Sequence, residues 1–156
     1  MKAKYINPFL TASVNLFRNY LGLSCGSGTP YLNPDPQRLD EVSGIIGLAG
    51  ETTGAVVLSF SRETAIQIAS TMAGRPYTAL TNEVIDVVGE LVNIVAGNAK
   101  RDLIDFRIVL SLPGVIIGKE SQIKWPSQVP VITIPFESDA GPFTINVSLK
   151  AAEVDL

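Results

Sequence analysis

The sequence predicts an α+β fold, a largely antiparallel sheet with helices packed on one side, and three observations carry that expectation. Apolar residues recur at helical spacing in three separate stretches. Runs of Val, Ile and Phe bounded by Gly and Pro fill the intervals, and two of those runs are joined by a turn-rich segment suited to an antiparallel hairpin. With 156 residues and 46% apolar content, the chain can build one hydrophobic core but is short for two, so residues 1–156 are expected to form a single domain.

Residues 8 to 20 read as a first helix. Pro8 stands near its start, Leu10, Val14, Phe17 and Leu21 keep helical spacing, and Gly22 ends it. Ser24 to Pro36, with Gly26, Gly28, Pro30, Pro34 and Pro36, reads as a loop or irregular edge, and its isolated GSG is no phosphate cradle. Val42 to Leu48 and Ala55 to Phe60 read as hairpin strands across AGETTG, with Gly47, Gly50 and Gly54 as turn and bulge glycines. Ser61 is a suitable N-cap for a second helix with Glu63 in its first turn, running to about Met72 and stopped by Gly74 and Pro76. A third, longer helix runs from about Thr81, where Thr81 or Asn82 can cap it, to about Asp105. Beyond it Arg107 to Leu112, Val115 to Gly118, Val129 to Phe136 and Phe143 to Leu149 read as extended.

The two halves echo each other. The first helix holds Ala12-Ser13-Val14-Asn15-Leu16 where the third holds Glu90-Leu91-Val92-Asn93-Ile94, and each half closes on a hairpin-like unit, after Glu51-Thr52-Thr53-Gly54 and after Glu137-Ser138-Asp139-Ala140-Gly141. This points to an internal pseudo-repeat with one complete site.

Composition narrows the chemistry. Twelve basic against fifteen acidic residues give a formal net charge of −3, without the basic footprint of a nucleic-acid partner. No histidine is present, which removes the usual triad base, the commonest zinc ligand and the phosphohistidine nucleophile together. A small-molecule hydrolase with a serine or cysteine nucleophile therefore lacks its base. No run approaches the roughly 18 consecutive apolar residues of a membrane span, and Asn15 and Arg18 interrupt the N-terminal apolar stretch, so neither a membrane anchor nor a secretion signal is expected. A lone Cys25 fits a reducing compartment, and the protein is expected to be cytoplasmic.

The third helix carries the candidate site. At 100° per residue, Val88, Leu91 and Val95 lie within about 40° of Val84, and the four form the buried stripe. Asp86, Glu90, Asn93 and Gly97 fall at about 200°, 240°, 180° and 220°, on one exposed face. Gly89 and Gly97 each cost the helix about 1 kcal/mol relative to alanine. A merely solvated face has no reason to carry that cost, whereas glycine beside Glu90 and Asn93 admits a close partner.

The string DVVGELVNIVAGNAK, Asp86 to Lys100, resembles the D/S-x-x-x-E-x-x-N signature of the CheC/CheX-type chemotaxis phosphatases, with Asp86, Glu90 and Asn93 in the signature positions. KYINPFL, the hairpin GIIGLAGETTGAVVLSFS, the helix RETAIQIASTMAG and the closing hairpin extend the resemblance over nearly the whole chain. CheC-like members typically carry two such sites. Here Ala12 stands where the first helix would need its acid, so the single site resembles the CheX branch.

The resemblance implies a CheC-like fold and dephosphorylation of the aspartyl phosphate on a CheY-like response regulator. The regulator would bring its own Mg²⁺ and lysine, with no cofactor bound by this chain. The missing part is then a water holder, because phosphoryl transfer needs mainly a positioned in-line water and charge compensation. A neutral carboxamide can donate and accept beside an anionic phosphoryl group where a carboxylate would be repelled, which gives that role to Asn93. The resemblance gives Glu90 the regulator's lysine and leaves Asp86 a rim contact. Gly89, Gly97 and Lys100 are expected to touch the regulator. A homodimer pairing through sheet edges is also implied, with Pro130 and Pro135 restricting which edge pairs. The competing expectation is a non-catalytic receiver-binding or flagellar-switch-type module of the same fold.

Overall fold

The computed structural model describes residues 3–125 and 129–151. Among them the helices are α1 (Ala3–Leu16), continued by a π-helical turn (Phe17–Leu21), α2 (Arg62–Ala73) and α3 (Asn82–Asp102). The strands are β1 (Cys25–Ser27), β2 (Tyr31–Leu32), β3 (Val42–Gly50), β4 (Thr52–Phe60), β5 (Ile108–Leu110), β6 (Gly114–Ile117), β7 (Ile132–Ser138) and β8 (Phe143–Ala151). They form one antiparallel sheet in the order β1-β7-β8-β4-β3-β5, with β2 also on β7 and β6 also on β3.

That order contains the echo seen in the sequence. Each half is a helix, two short strands and a long hairpin, and each half's short strands pair with the other half's hairpin: β1 and β2 with β7, β5 and β6 with β3. The hairpins meet where β4 and β8 pair along their length, from Thr52↔Ala151 to Phe60↔Phe143. The expected α+β architecture holds, since α1, α2 and α3 all pack on one face. Val42, Ile46 and Leu48 of β3, Val56, Leu58 and Phe60 of β4, and Phe143, Ile145 and Val147 of β8 share one core with the helices' apolar stripes. Phe143 lies stacked between Phe17 and Phe136, each with ring centroids 4.8 Å away, and so ties the end of α1 to the sheet.

The opposite face mixes polar side chains with apolar ones such as the buried Val57. Ser43 and Ser59 share a hydrogen bond of 2.8 Å, and Asn33 donates to Thr133, which donates to Asn146 at 2.6 Å. These bonds satisfy groups that are otherwise costly to bury.

Several sequence expectations need correction. Helix α1 begins at Ala3, with Pro8 inside it. Lys4 is bonded to Asp105 at 2.8 Å and the Tyr5 ring packs on Phe106 at 5.0 Å, so contacts from beyond α3 hold the start of α1. The hydrogen bond that Pro8 forfeits lies near the helix end, and its ring is buried with Ile6 and Phe9. Part of the segment 24–36 is strand, because β7 offers an open side that sequence periodicity does not reveal. The hairpin strands run further into AGETTG than expected. Gly50, at φ +90°, makes the turn, while Gly47 and Gly54 sit within regular pairing. Helix α3 stops at Asp102, short of Asp105, with Leu103 as its cap residue. The run expected from Val129 begins pairing as β7 only at Ile132, and β7 is an interior strand rather than an edge.

Helix α2 matches its caps: the Ser61 hydroxyl accepts from the Thr64 N–H at 3.1 Å, and Gly74, at φ +69°, closes the other end. Thr81 caps α3 in the same way, accepting from the Val84 N–H. The Glu83 carboxyl lies below the usual carboxylate range because it is held by its own backbone N–H and by Thr81.

At the centre of the sheet a Cβ on Gly54 would stand 1.8 Å from the Ser148 carbonyl oxygen. Gly54→Ala must therefore push β4 and β8 apart, and a loss of about 3 kcal/mol is expected, read as a lower midpoint in chemical denaturation.

Candidate functional site

Helix α3 is oriented by its apolar stripe. Val84, Val88, Leu91, Val92 and Val95 are all fully buried, and Val88 and Val92 lie against β3 where it carries Gly44. A Cβ there would come within 2.9 Å of the Val88 carbonyl oxygen and 3.1 Å of Val92 Cγ1, so the bare backbone lets the helix lie directly on the sheet. Burial of that stripe fixes the rotation of α3 about its axis.

Asp86, Glu90, Asn93 and Lys100 are consequently exposed, as the sequence spacing predicts. Glu90 and Asn93 are one turn apart, so their side chains are neighbours on the helix surface. Among the described residues no ion pair engages Asp86, Glu90 or Lys100, and no side-chain hydrogen bond engages them or Asn93. They are free to meet an incoming group. No set of three His, Cys, Asp or Glu side chains is placed to hold a metal ion among the described residues.

The glycines separate into two kinds. Gly97 is partly exposed, and a Cβ there would meet nothing within 4 Å. Gly89 is buried beneath β6, with Val115 Cγ2 3.5 Å from the position a Cβ would take. The surface that approaches Gly89 is therefore the chain's own strand. Only Gly97 faces outward.

Sequence reasoning did not single out a groove of about 420 Å³ between α1 and α3. Ala12, Asn15, Asn19 and Tyr20 line one side of it, and Asn98, Arg101 and the exposed Asp102 the other. Ala12, the counterpart of Glu90 in the echo, is only 4% exposed, whereas Asn15, the counterpart of Asn93, is exposed. The second half-site thus differs by burial as well as by its missing acid. The sequence does carry a signal for Arg101, which lies within about 20° of Glu90 on the helical count. Tyr20 could not, because the π-helical turn that presents it breaks the period.

Known proteins share the sequence pattern and fold of this chain. The sequence model of one family, Chemotaxis phosphatase CheX, matches residues 42–137, which contain α3 entire. The chain belongs to the CheX family. A relative from Thermotoga maritima, CheY-P phosphatase CheX, is 26% identical over 154 residues, spanning 97% of this chain and 99% of that protein. Among solved structures, a CheC-like superfamily protein from Shewanella sp. PV-4 superposes with a TM-score of 0.88 at 32% identity, over 97% of this chain and 100% of that one. CheX in a CheX–CheY–BeF3–Mg²⁺ complex from Borrelia burgdorferi superposes with a TM-score of 0.79 at 28% identity, over 94% and 97% of the two chains. As a CheX-family chain, this protein has the expected CheC-like fold.

Gly97→Ala adds a methyl group in open space and removes a glycine from a helix interior. It is expected to stabilise the free protein by about 0.5–1 kcal/mol, read as a melting midpoint about 2–3 °C higher.

Proposed function

We propose that this protein is a phosphatase acting on the aspartyl phosphate of a CheY-like response regulator, with Glu90 and Asn93 as its working pair. The observation that carries the reading is an acid and a carboxamide one turn apart, both exposed and unpartnered, on a helix whose rotation the core fixes. Membership of the CheX family supports the activity. In the related complex BeF3 stands chemically for the phosphoryl group on a carboxylate, which supports a regulator that carries its own Mg²⁺.

In this reading Asn93 reaches the phosphorylated aspartate when the regulator docks on α3. Its Oδ1 accepts a hydrogen bond from a water, and its Nδ2 donates to a phosphoryl oxygen, which holds the water in line. The water oxygen bonds to phosphorus as the bond from phosphorus to the aspartyl oxygen breaks. The aspartate leaves as a carboxylate, and the water's proton goes to inorganic phosphate. Being neutral, Asn93 adds no repulsion to the anionic transition state, whose charge the regulator's cation offsets. Glu90 pairs with the regulator's lysine and sets the docking geometry. Asp86, also exposed, meets the rim of the regulator, and Lys100 faces it from the far end of the helix.

No helix among the described residues is long and apolar enough to cross a membrane, and the proposed site of action is the cytoplasm, where response regulators work. The protein is further proposed to pair with itself through a sheet end. The β5–β6 end exposes Val109, Leu112 and Ile117, and β2 at the opposite end exposes Tyr31 and Leu32. Light scattering should return twice the 16.6 kDa chain mass, and Val109→Lys or Leu32→Lys should reduce it to one, according to which end pairs.

Added to a phosphorylated CheY-type receiver in Mg²⁺, the protein should speed phosphate release. Asn93→Ala should lower the maximal rate about 100-fold while receiver affinity stays within a factor of about three. Glu90→Ala should weaken receiver binding about tenfold, or about 1.4 kcal/mol. Unchanged decay across a panel of receivers would exclude the enzyme and favour a binding module.

A further inference from the structure

The exposed face of α3 is polarised along its length. Glu90, Gly97 and Arg101 fall within about 40° of one another on the helical count, and Asp86, Asn93 and Lys100 form a second row beside them. Both acids of these rows stand toward the N-terminal half and both bases in the last turn. From Glu90 to Arg101 the helix rises about 16 Å.

The helix dipole favours bases in a last turn, but it does not choose the side of the helix on which they stand. Nor does it account for Gly97, which lies between the two ends with open space above it. Neither Lys100 nor Arg101 has a carboxylate partner among the described residues. Arg101 Nη2 donates to Asn98 Oδ1, and both side chains stand at the wall of the α1–α3 groove. Across the groove the π-helical turn presents Tyr20, 62% exposed. Tyrosine and arginine are side chains on which interface energy concentrates.

The size of the contact points the same way. A specific interface takes roughly 800 Å² from each partner, far more than two neighbouring side chains supply. On the Gly89 flank of α3 the chain's own β6 covers the helix. The open directions lead along α3 to its basic end and into the groove.

On the reading that Glu90 and Asn93 dock a phosphorylated receiver, we infer that Arg101, Lys100 and Tyr20 form a second anchor for that receiver. The anchor takes a carboxylate-bearing surface about 16 Å from the lysine that Glu90 engages. Gly97 lets the receiver's backbone settle between the two. One end of the strip accepts a cation and the other an anion, so a receiver docked in reverse meets like charge at both ends. The strip selects an orientation and a class of receiver, while the chemistry stays with Asn93.

The test measures Kd for a CheY-type receiver held with BeF3⁻ and Mg²⁺, and kcat and KM for the same receiver charged by a small phosphodonor. Arg101→Ala is expected to raise Kd and KM about fivefold and Arg101→Glu about 30-fold, with kcat within twofold and an unchanged melting midpoint. Tyr20→Ala should raise Kd about fivefold, and the salt dependence of Kd should flatten in Arg101→Ala. If Arg101→Glu leaves Kd within twofold while Asn93→Ala abolishes turnover, the second anchor is wrong and the phosphatase reading stands. A fall in kcat without a change in Kd overturns the anchor as well. If neither wild type nor Asn93→Ala speeds phosphate release over the receiver alone, the phosphatase reading fails, and this inference fails with it.

Discussion

The contact between α3 and β3 at Gly44 is the constraint on which the rest of the structure depends. With no side chain on that strand residue, the Val88 carbonyl and the Val92 side chain press onto bare backbone, and the valines and leucine of the stripe are shut away from water. Burying a side chain of that size contributes about 1.5–3 kcal/mol, so rotating α3 far enough to hide Glu90 or Asn93 would forfeit several such contributions. Rigidity in the stripe is what gives two exposed polar side chains a defined position. The protein presents them, and in the proposed reaction the metal, the lysine and the phosphoryl group arrive with the partner.

The pseudo-symmetry of the fold makes the difference between its halves informative. Both halves place a helix on the same face of the sheet and both keep an asparagine exposed, Asn15 and Asn93. Helix α3 is the longer one, and its last turns form a wall of the groove in which Ala12 is buried. An acid at that position would meet a neighbouring helix before it met a partner. The first half therefore offers a groove, whereas the second offers an open face.

Local chemistry made much of this readable from residues alone. Ser61 and Gly74 bracket α2 through hydrogen bonds that form within a few residues, and the exposed row on α3 follows from periodicity, which a long amphipathic helix obeys closely. What escaped depends on residues distant in sequence. Lys4 and Tyr5 start α1 ahead of Pro8 because Asp105 and Phe106 are there to meet them. Cys25–Ser27 and Tyr31–Leu32 become strands because β7 has a free side. Helical spacing alone leaves Gly89 open to a partner because the strand that covers it, β6, lies some 25 residues further on. The groove beside Arg101 needs two helices and a π-helical turn, none of which the spacing within α3 can report.

The central claim is that Asn93 acts as a neutral holder of water rather than as a polar contact of the right size. Asn93→Asp keeps the shape and replaces the donating amide with a negative charge. The decisive measurement is the decay rate of phosphorylated receiver at saturating concentrations of this variant, with receiver binding checked in parallel. The rate should fall to nearly that of the receiver alone while the receiver remains bound. Decay at the wild-type rate with aspartate in place would contradict the assignment.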